Sequence, residues 1–420
     1  MFNLNFNFLQ KIKRKIFPFY RDKDLKFIFK KLQDGIPNDK IVARFVGGCV
    51  RKYLSNEKIN DIDIATTLTT DQIKKKFKDT NLKVIDTGLK HGTVTIVSKN
   101  HKVELTTLRK DIKTDGRHAE VEYTDDWKKD SERRDFTVNA IYMDINGKLF
   151  DPQMGTVDLK NKNIKFIGDP QKRIEEDYLR IIRFIRFKVM YDIEVESTTS
   201  DAIKQNLDGI KKISKERILI ELFKILDLKN FLAINQSSYL REIFSMIFPE
   251  FMYLNRLERL RKVYQYSEVN VDILLAVLLI DEKDNHNYFI HKYNASNKTK
   301  ETLKKFNKNL IKLKNDKEFF EKDLIKNVYL NGKNHLIALN LINFSINSKV
   351  KRNDFSKTLN KIFRIKTPIF PIDGETLKQK GMHQGQSLGN VLKILEKEWI
   401  NNNFKISNER VEEVIKVNLN

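Results

Sequence analysis

The sequence has very little cysteine, and a long central part of it has almost no glycine or proline. Cys49 is the only cysteine among 420 residues, so neither an intramolecular disulfide nor a cysteine-based metal site can form. This usage indicates a reducing cytoplasm. The most apolar run, at residues 271–280, is too short to cross a bilayer and predicts a buried helix. Residues 1–24 lack the apolar core of a signal peptide and are interpreted as an N-terminal extension.

Glycine and proline divide the chain into two parts. Nine of the 15 glycines lie at or before Gly168, none lies between Gly209 and Gly332, and Pro249 is the only proline in that interval. Apolar residues at helical spacing occur there, as in "SKERILIELFKILDL", and predict helices. We therefore predict a mixed α/β region of roughly 150 residues, followed by a long helical region. No membrane segment and no obligate protein partner are indicated.

The charge of the chain is strongly positive. The formal net charge is +23, from 79 Lys and Arg against 56 Asp and Glu. Such an excess attracts a polyanion, and nucleic acid is the first candidate. Residues 291–350 hold 13 lysines against five acidic residues, enough to follow the phosphate backbone of a folded RNA. The alternative is a compositional bias that raises Lys, Asn and Ile together.

Two β-hairpins are predicted in the first part of the chain. The segments "TVTIVS" at residues 93–98 and "KVELTTL" at residues 102–108 are rich in β-branched residues and are separated by Lys-Asn-His. Farther along, Asn146 and Gly147 stand between two apolar runs, which is the strongest short hairpin signal.

Two aspartates separated by one residue, Asp61 and Asp63 in "DIDIAT", suggest a metal site. In a strand, residues two apart face the same side, so both carboxylates would share one site while Ile62 and Ile64 pack behind them. Such a pair suits a hard divalent cation, Mg²⁺ above all, and a two-metal arrangement serves phosphoryl or nucleotidyl transfer. An exposed turn would give the same pattern.

The residues before "DIDIAT" favour a nucleotide site over a turn. Gly47 and Gly48 follow an apolar strand and begin a segment that predicts a helix, so bare backbone N–H groups can approach a triphosphate. Arg51 adds a fixed positive charge. Glu104, on the second strand of the first hairpin, is a further metal ligand if that strand lies beside "DIDIAT", and otherwise an exposed strand glutamate.

Two arginine-rich segments follow. "ERRDFTVNAIY" places Arg134 and Asp135 before a strand, where they bind phosphate or ribose hydroxyls or form a surface ion pair. "RIEEDYLRIIRFIRF" predicts a helix with Arg173, Asp177 and Arg180 on one face. Arg183 and Arg186 of the same helix lie progressively farther from that face. Together these arginines need anionic partners, and a triphosphate would supply several.

In this order, "GGCVR…DIDIAT", "VELTTLR", "RRDFTVNAIY" and "EEDYLRIIRFIRF" resemble the motifs of the class II CCA-adding tRNA nucleotidyltransferase and bacterial poly(A) polymerase family. The match is nearly continuous over residues 45–187. The resemblance implies an α+β head with a DNA polymerase β-like nucleotidyltransferase sheet, followed by an all-α neck, body and tail. The implied boundaries are 25–160 for the head, 161–230 for the base-recognising neck, 231–355 for the body and 356–420 for the tRNA-binding tail.

The same resemblance implies roles for individual residues. Asp61 and Asp63 are the expected Mg²⁺ ligands, and Glu104 is a further catalytic residue. The residues expected to bind the nucleotide are Gly47, Gly48, Arg51, Arg134, Asp135, Asp177, Arg180, Arg183 and Arg186. Lys52 departs from the family, which often has Asp or Asn at that place.

The chemistry of the bases indicates which nucleotides are added. A and C each present an amino donor beside a ring nitrogen acceptor, whereas G and U reverse that order, so a carboxylate with a guanidinium can accept A and C. Asp177 and Arg180 are the expected pair, assisted by Arg183 and Arg186. The resemblance then implies template-independent addition of C, C and A to the tRNA 3′ end from CTP and ATP, with release of diphosphate. A poly(A) polymerase and a nonenzymatic RNA-binding protein are the alternatives.

The charged segment between residues 109 and 135 favours addition of the complete CCA sequence. It resembles the flexible loop that relatives completing CCA retain, and it is rich in charge and turn residues, as a mobile lid should be. The alternative is an ordinary surface loop.

Overall fold

A computed structural model describes residues 18–88, 92–114, 119–191, 194–316 and 318–419. The chain divides into two compact units. The first comprises the chain up to Phe231 together with Glu242–Phe248, and the second comprises Leu232–Arg241 and Pro249–Asn420. The finer division into head, neck, body and tail stays a prediction. Residues 1–17, most of the predicted N-terminal extension, lie outside the described residues.

Two sheets contribute nine strands to the described part of the first unit. The strands are β1 Ala43–Val46, β2 Ile62–Thr66, β3 Lys83–Gly88, β4 Thr93–Val97, β5 Lys102–Thr107, β6 Arg109–Thr114, β7 Ala119–Tyr123, β8 Tyr142–Met143 and β9 Leu149–Phe150. Seven of them form one sheet in the order β3-β4-β5-β2-β1-β8-β9, and β6 pairs with β7 alone. Within the seven-stranded sheet β2 and β5 run parallel, while the other described pairs are antiparallel.

Both predicted hairpins are confirmed. β4 and β5 pair antiparallel, with Ile96 opposite Val103. β8 and β9 pair across the turn that contains Gly147, whose φ is 84°. Glycine reaches that left-handed region without the steric cost that a Cβ would add.

One face of the large sheet packs against helices. The helices in and around the sheet are α1 Lys23–Gln33, α2 Gly48–Leu54, α3 Thr70–Phe77, α4 Trp127–Glu132 and α5 Gly155–Lys160. Side chains of α1, α2 and α3 share a core with alternate strand residues such as Ile62, Ile64 and Val103. Because side chains alternate along a strand, Asp63 and Glu104 lie on the opposite face. The same alternation that fills the core therefore places these carboxylates outside it.

The predicted helix through residues 173–186 is broken. The helices that follow the sheet are α6 Pro170–Glu176, α7 Leu179–Tyr191, α8 Ser197–Gln205, α9 Lys215–Leu226 and α10 Ser238–Ile247. Between α6 and α7, Asp177 has φ −155° and ψ 103°, and its Oδ1 accepts the N–H of Leu179 at 3.1 Å. An aspartate that bonds to nearby backbone in this way competes with a continuous helix. The expectation that Arg173, Asp177 and Arg180 share one helical face is therefore wrong.

The second unit is helical. Its further helices are α11 Arg256–Arg261, α12 Val271–Leu279, α13 Asn285–Tyr293, α14 Asn297–Asn315, α15 Leu324–Asn331, α16 Lys333–Ile346, α17 Arg352–Arg364, α18 Gly374–Gln379, α19 Gln386–Asn401 and α20 Asn408–Leu419. The buried helix predicted from the most apolar run is confirmed, since α12 buries its residues from Ile273 to its end. The described part of the chain after residue 170 contains no β-strand. No helix built from described residues is long and apolar enough to span a bilayer.

Helix α14 carries an exposed row of positive charge. Its buried side chains, among them Leu303 and Phe306, define one face. Five exposed lysines, which we name the lysine stripe, occupy the solvent side: Lys298, Lys304, Lys305, Lys308 and Lys312. Since helical residues three, four and seven apart lie on similar sides, these five lysines lie along one side of α14, where the exposed Glu301 stands among them.

Candidate active site

Two carboxylates face each other where β2 and β5 run side by side, and a third lies near them. Asp63 is the register partner of Glu104, and Asp61 immediately precedes β2. The condition under which Glu104 would join the metal site is thus met. Burial raises the pKa of the Asp63 carboxyl to about 6, and the charges of Glu104 and Asp61 act in the same direction. Their mutual repulsion is what a cation held between such groups would relieve.

The donor set fits a divalent ion that also binds the substrate. Among the described residues, no three His, Cys, Asp or Glu side chains already form a metal-binding group. Mg²⁺ commonly takes one or two protein carboxylates and completes its shell with water and substrate phosphates. Asp61 and Asp63 offer hard oxygen donors of this kind.

The turn at Gly47 and Gly48 lies beside the guanidinium of Arg134, whose charge acts on Asp63. β1 ends at Val46, Gly47 takes φ 71°, and Gly48 begins α2. A Cβ on Gly47 would lie 3.9 Å from Nη1 of Arg134. Burial raises the pKa of Asp63, and the positive charge of Arg134 acts in the opposite direction. Apart from the chain neighbours of Gly48 and the backbone of its own helix, no described atom lies within 4 Å of the place where Gly48 would carry a Cβ. Open backbone and a fixed positive charge therefore stand together beside Asp63.

Asp130 on α4 is absent from the predicted site, yet it holds Arg134. Its fully buried carboxylate pairs with Arg133 Nη2 at 2.8 Å and with Arg134 Nη2 at 3.0 Å. The Tyr142 hydroxyl donates to it at 2.7 Å and the backbone N–H of Arg109 at 3.3 Å. Burial would raise the pKa of Asp130, but the arginines and these donors hold it well below its usual range. The spacing of three and four residues to the arginines was the available sequence signal.

Arg51 is almost buried, with 6% of its surface exposed. It donates to Oδ1 of Asn139, and its guanidinium lies 4.8 Å from the ring centroid of Phe187. Its Nε has no hydrogen-bond partner, and among the described side chains no carboxylate forms an ion pair with it. A buried cation without a counter-charge is costly, and a bound anion would offset that cost.

Asp135 connects this region to α7. Its Oδ1 accepts from Asn139 Nδ2 at 2.9 Å, and its Oδ2 pairs with Nη2 of Arg183 at 2.8 Å. Burial by itself would raise the pKa of the Asp135 carboxyl. The charge of Arg183 and the hydrogen bond from Asn139 nevertheless hold this pKa below its usual range. The structure thus brings Asp135 and Arg183 together.

Arg186 is more fully engaged with the protein. It pairs with Oε2 of Glu221 on α9 at 3.2 Å and is largely buried. Burial, and then the charges of Arg183 and Arg51, lower the pKa of the Arg186 guanidinium despite Glu221. Arg51, Arg183 and Arg186 therefore form one cluster, in which the positive charges outnumber the carboxylates of Asp135 and Glu221.

The predicted base-reading residues are neighbours in the chain but do not pair with each other. Arg180 Nη1 contacts Oε2 of Glu176 at 2.6 Å, and the same oxygen accepts from Arg173 at 2.5 Å. Arg173 Nη2 also donates to the backbone carbonyls of Arg133 and Arg134, both at 2.6 Å. The segment that holds Arg180 is in this way tied to the backbone of the arginines beside the glycine turn.

Asp177 is held from a different helix. Its Oδ2 accepts from Nη2 of Arg217 on α9 at 2.7 Å, a partner 40 residues away in sequence. Neither Arg217 nor Glu176 is among the predicted site residues. Glu176 had a local signal, because it lies three and four residues from Arg173 and Arg180. Arg217 had none.

Two family models match the chain. The description "Poly A polymerase head domain" applies to residues 43–165, and "Probable RNA and SrmB- binding site of polymerase A" applies to residues 192–254. The first covers the large sheet and the glycine turn with Asp63 and Arg134. The chain after residue 254 lies beyond both matches.

Curated relatives extend the similarity along the chain. The mitochondrial CCA tRNA nucleotidyltransferase 1 of Danio rerio is 32% identical over 390 residues, which is 88% of this chain and 85% of that protein. The CCA-adding enzyme of Staphylococcus haemolyticus is 32% identical over 371 residues, 88% of each chain. Because one relative is named as mitochondrial, the cytoplasmic location stays a prediction.

Solved structures agree with these relatives. The CCA-adding enzyme of Bacillus stearothermophilus in complex with CTP is 25% identical, has a TM-score of 0.68, and is matched over 93% of this chain and 95% of its own. The Thermotoga maritima CCA-adding enzyme complexed with tRNA is 25% identical with a TM-score of 0.59, over 95% and 97%. The predicted fold, an α+β nucleotidyltransferase head followed by helical parts, is confirmed. With relatives this similar over most of its length, the chain belongs to the family of CCA tRNA nucleotidyltransferases.

Proposed function

We propose that this protein adds C, C and A to the 3′ end of tRNA from CTP and ATP, without a template and with release of diphosphate. The observation that carries the proposal is the meeting of Asp63, Glu104 and Arg134 beside the open Gly47 turn. Carboxylates next to a fixed guanidinium and bare backbone suit a nucleoside triphosphate. The relatives named above, one bound to CTP and another to tRNA, support the same substrates.

Asp61 and Asp63 would hold the divalent ion, which we take to be Mg²⁺, with Glu104 as a further ligand. When bound, such an ion neutralises charge that develops on the attacking 3′ oxygen and on the leaving diphosphate. The choice of Mg²⁺ rests on the all-oxygen donor set and on the phosphate substrate. Family membership by itself implies a divalent metal without naming it.

The triphosphate would bind along the glycine turn. The backbone of Gly47 and Gly48 approaches it closely, Arg134 contacts its oxygens from the position that Asp130 fixes, and Arg51 supplies uncompensated charge. Asp135 and Arg183 would meet the ribose or the phosphates, with Arg186 adding positive charge behind them.

Asp177 and Arg180 would read the base. Asp177 accepts a hydrogen bond from the exocyclic amino group of C or A, and Arg180, oriented by Glu176, donates to the ring nitrogen or carbonyl. U and G present a carbonyl where Asp177 needs a donor, so this partly buried acceptor would be left unpaired.

The decisive experiment uses tRNA transcripts that lack all three, the last two, or only the last terminal nucleotide. Each is incubated with the protein, Mg²⁺ and labelled CTP or ATP, and the products are resolved by length. Ordered addition of C, C and A supports the proposal. Addition of A alone, with no preference for tRNA, would indicate a poly(A) polymerase. No incorporation beyond that of an Asp61→Asn and Asp63→Asn double variant would indicate a nonenzymatic RNA-binding protein.

A further inference from the structure

Helix α9 contacts the base-reading segment through a residue with no assigned role. Arg217 lies in the first turn of α9, and its Nη2 donates to Oδ2 of Asp177 at 2.7 Å. Both side chains are partly shielded from solvent, with 31% of Arg217 and 21% of Asp177 exposed. An ion pair of this length with a guanidinium is a charge-assisted hydrogen bond, stronger than a neutral one.

The position of Arg217 is itself fixed by packing. Ile218, Leu222 and Ile225 of α9 are buried, and α9 packs along α7. Glu221, one turn after Arg217 on the same side of α9, pairs with Arg186 of α7 at 3.2 Å. The same face of α9 therefore holds an arginine of α7 and the aspartate that precedes α7.

The two carboxylate oxygens of Asp177 are held by different partners. Oδ1 accepts the N–H of Leu179 at 3.1 Å and Oδ2 accepts from Arg217. The terminal torsion of an aspartate is otherwise broad, and a carboxylate offers about four acceptor positions. Two anchors on two oxygens stop its rotation and leave a defined acceptor position on each oxygen.

We propose that Arg217 is a positioning residue for base selection, because it fixes the carboxylate of Asp177 in the orientation that accepts the amino group of C or A. The inference rests on the proposed base-reading role of Asp177. Without Arg217 the carboxylate turns and binds water, and a bridging water can then satisfy the carbonyl of U or G. Discrimination should fall even though Asp177 is still present.

The test measures kcat/KM for single additions of C, A, U and G to tRNA transcripts by three variants. In Arg217→Ala we expect the C-to-U and A-to-G ratios to fall at least about tenfold, the scale of one charge-assisted hydrogen bond. Arg217→Lys keeps the positive charge but not the planar guanidinium, so its C-to-U and A-to-G ratios should lie between those of the wild type and those of Arg217→Ala. Lys224→Ala, which removes an exposed partner of Glu221 on the same helix, should keep the wild-type ratios.

A double-mutant cycle separates positioning from a general structural role. If Arg217 acts through Asp177, adding Arg217→Ala to Asp177→Ala changes the ratios no further. Equal losses for all four nucleotides in Arg217→Ala, with ratios unchanged, would overturn the inference. If Arg217→Ala does not fold, wild-type ratios in Arg217→Lys overturn it and reduced ratios support it. A wild-type protein that adds neither C nor A would overturn the proposed function as well.

Discussion

Replacing Asp130 by asparagine tests whether a buried ion pair prepares the triphosphate site. The carboxylate is fully buried, while Arg133 and Arg134 retain 15% and 16% of their side-chain exposure. Removing one partner of a buried pair typically costs about 3–5 kcal/mol. Since both guanidinium groups keep some access to water, and asparagine keeps the shape, we expect a loss near the lower end, about 3 kcal/mol in the free energy of unfolding.

The same change should weaken nucleotide binding. Two donors of Arg134, Nε and Nη2, bond to Oδ2 of Asp130, so the guanidinium that faces Gly47 loses its counter-charge in the variant and is held less firmly, although Nε also donates to the Tyr142 hydroxyl at 3.0 Å. We expect KM for CTP and ATP to rise about tenfold or more, the effect of one misplaced charge-assisted contact. Asp126→Asn is the matched control, because Asp126 is the N-cap of the same helix and asparagine caps equally well.

Tryptophan fluorescence can follow the first unit by itself. Trp127 lies on α4 with its ring 5.6 Å from that of Tyr142, and Trp399 is the only other tryptophan. In a Trp399→Phe background, urea unfolding read from Trp127 gives the stability of this region. Equal unfolding midpoints for Asp130→Asn and Asp126→Asn, with wild-type KM values, would refute the reasoning.

The effect should also depend on pH in a defined direction. Because the folded-state pKa of Asp130 lies below its ordinary value of 3.8, its contribution to stability is complete above that value. It is lost as the pH falls from there through the lower folded-state pKa. The stability difference between the wild type and Asp130→Asn should therefore be constant near neutrality and shrink below pH 3.8.

Four further predictions follow from the same geometry. Asp61→Asn or Asp63→Asn should lower turnover at least about a thousandfold and leave tRNA affinity largely intact, and near-normal turnover in either would contradict the metal site. Deleting part of the segment from Lys110 to Lys129 should spare addition of the two C residues and impair the final A, whereas equal losses would argue against a lid. Asp177→Ala should allow measurable addition of U or G, while Arg183→Ala should weaken all nucleotides alike; unchanged ratios in Asp177→Ala would refute base reading. Replacing three residues of the lysine stripe by glutamine should reduce the slope of log affinity for tRNA against log salt by about 2–3, and an unchanged slope would place the RNA elsewhere.

Much of the catalytic half of the site followed from local patterns. The alternation in "DIDIAT" turns Asp63 away from the core because Ile62 and Ile64 must enter it. The glycine pair predicted the turn and the helix after β1, since only glycine takes the φ of Gly47 without strain. Hairpin signals and the missing glycines likewise predicted the sheet and the helical second part. These features depend on neighbours within a few residues, which a single sequence displays.

The tertiary structure decided which distant residues meet. Glu104 faces Asp63 only because β2 and β5 pair in parallel, a pairing that no local pattern specifies. The spacing of Arg173 and Arg180 predicted one continuous helix, but the chain breaks at Asp177. The side chain of Asp177 accepts the N–H of Leu179, and such a bond competes with a continuous helix. Arg217 reaches Asp177 from 40 residues away because α9 packs along α7. The sequence by itself thus determined the chemical groups and their local frames, whereas the distances among them were set by the packing of elements far apart in the chain.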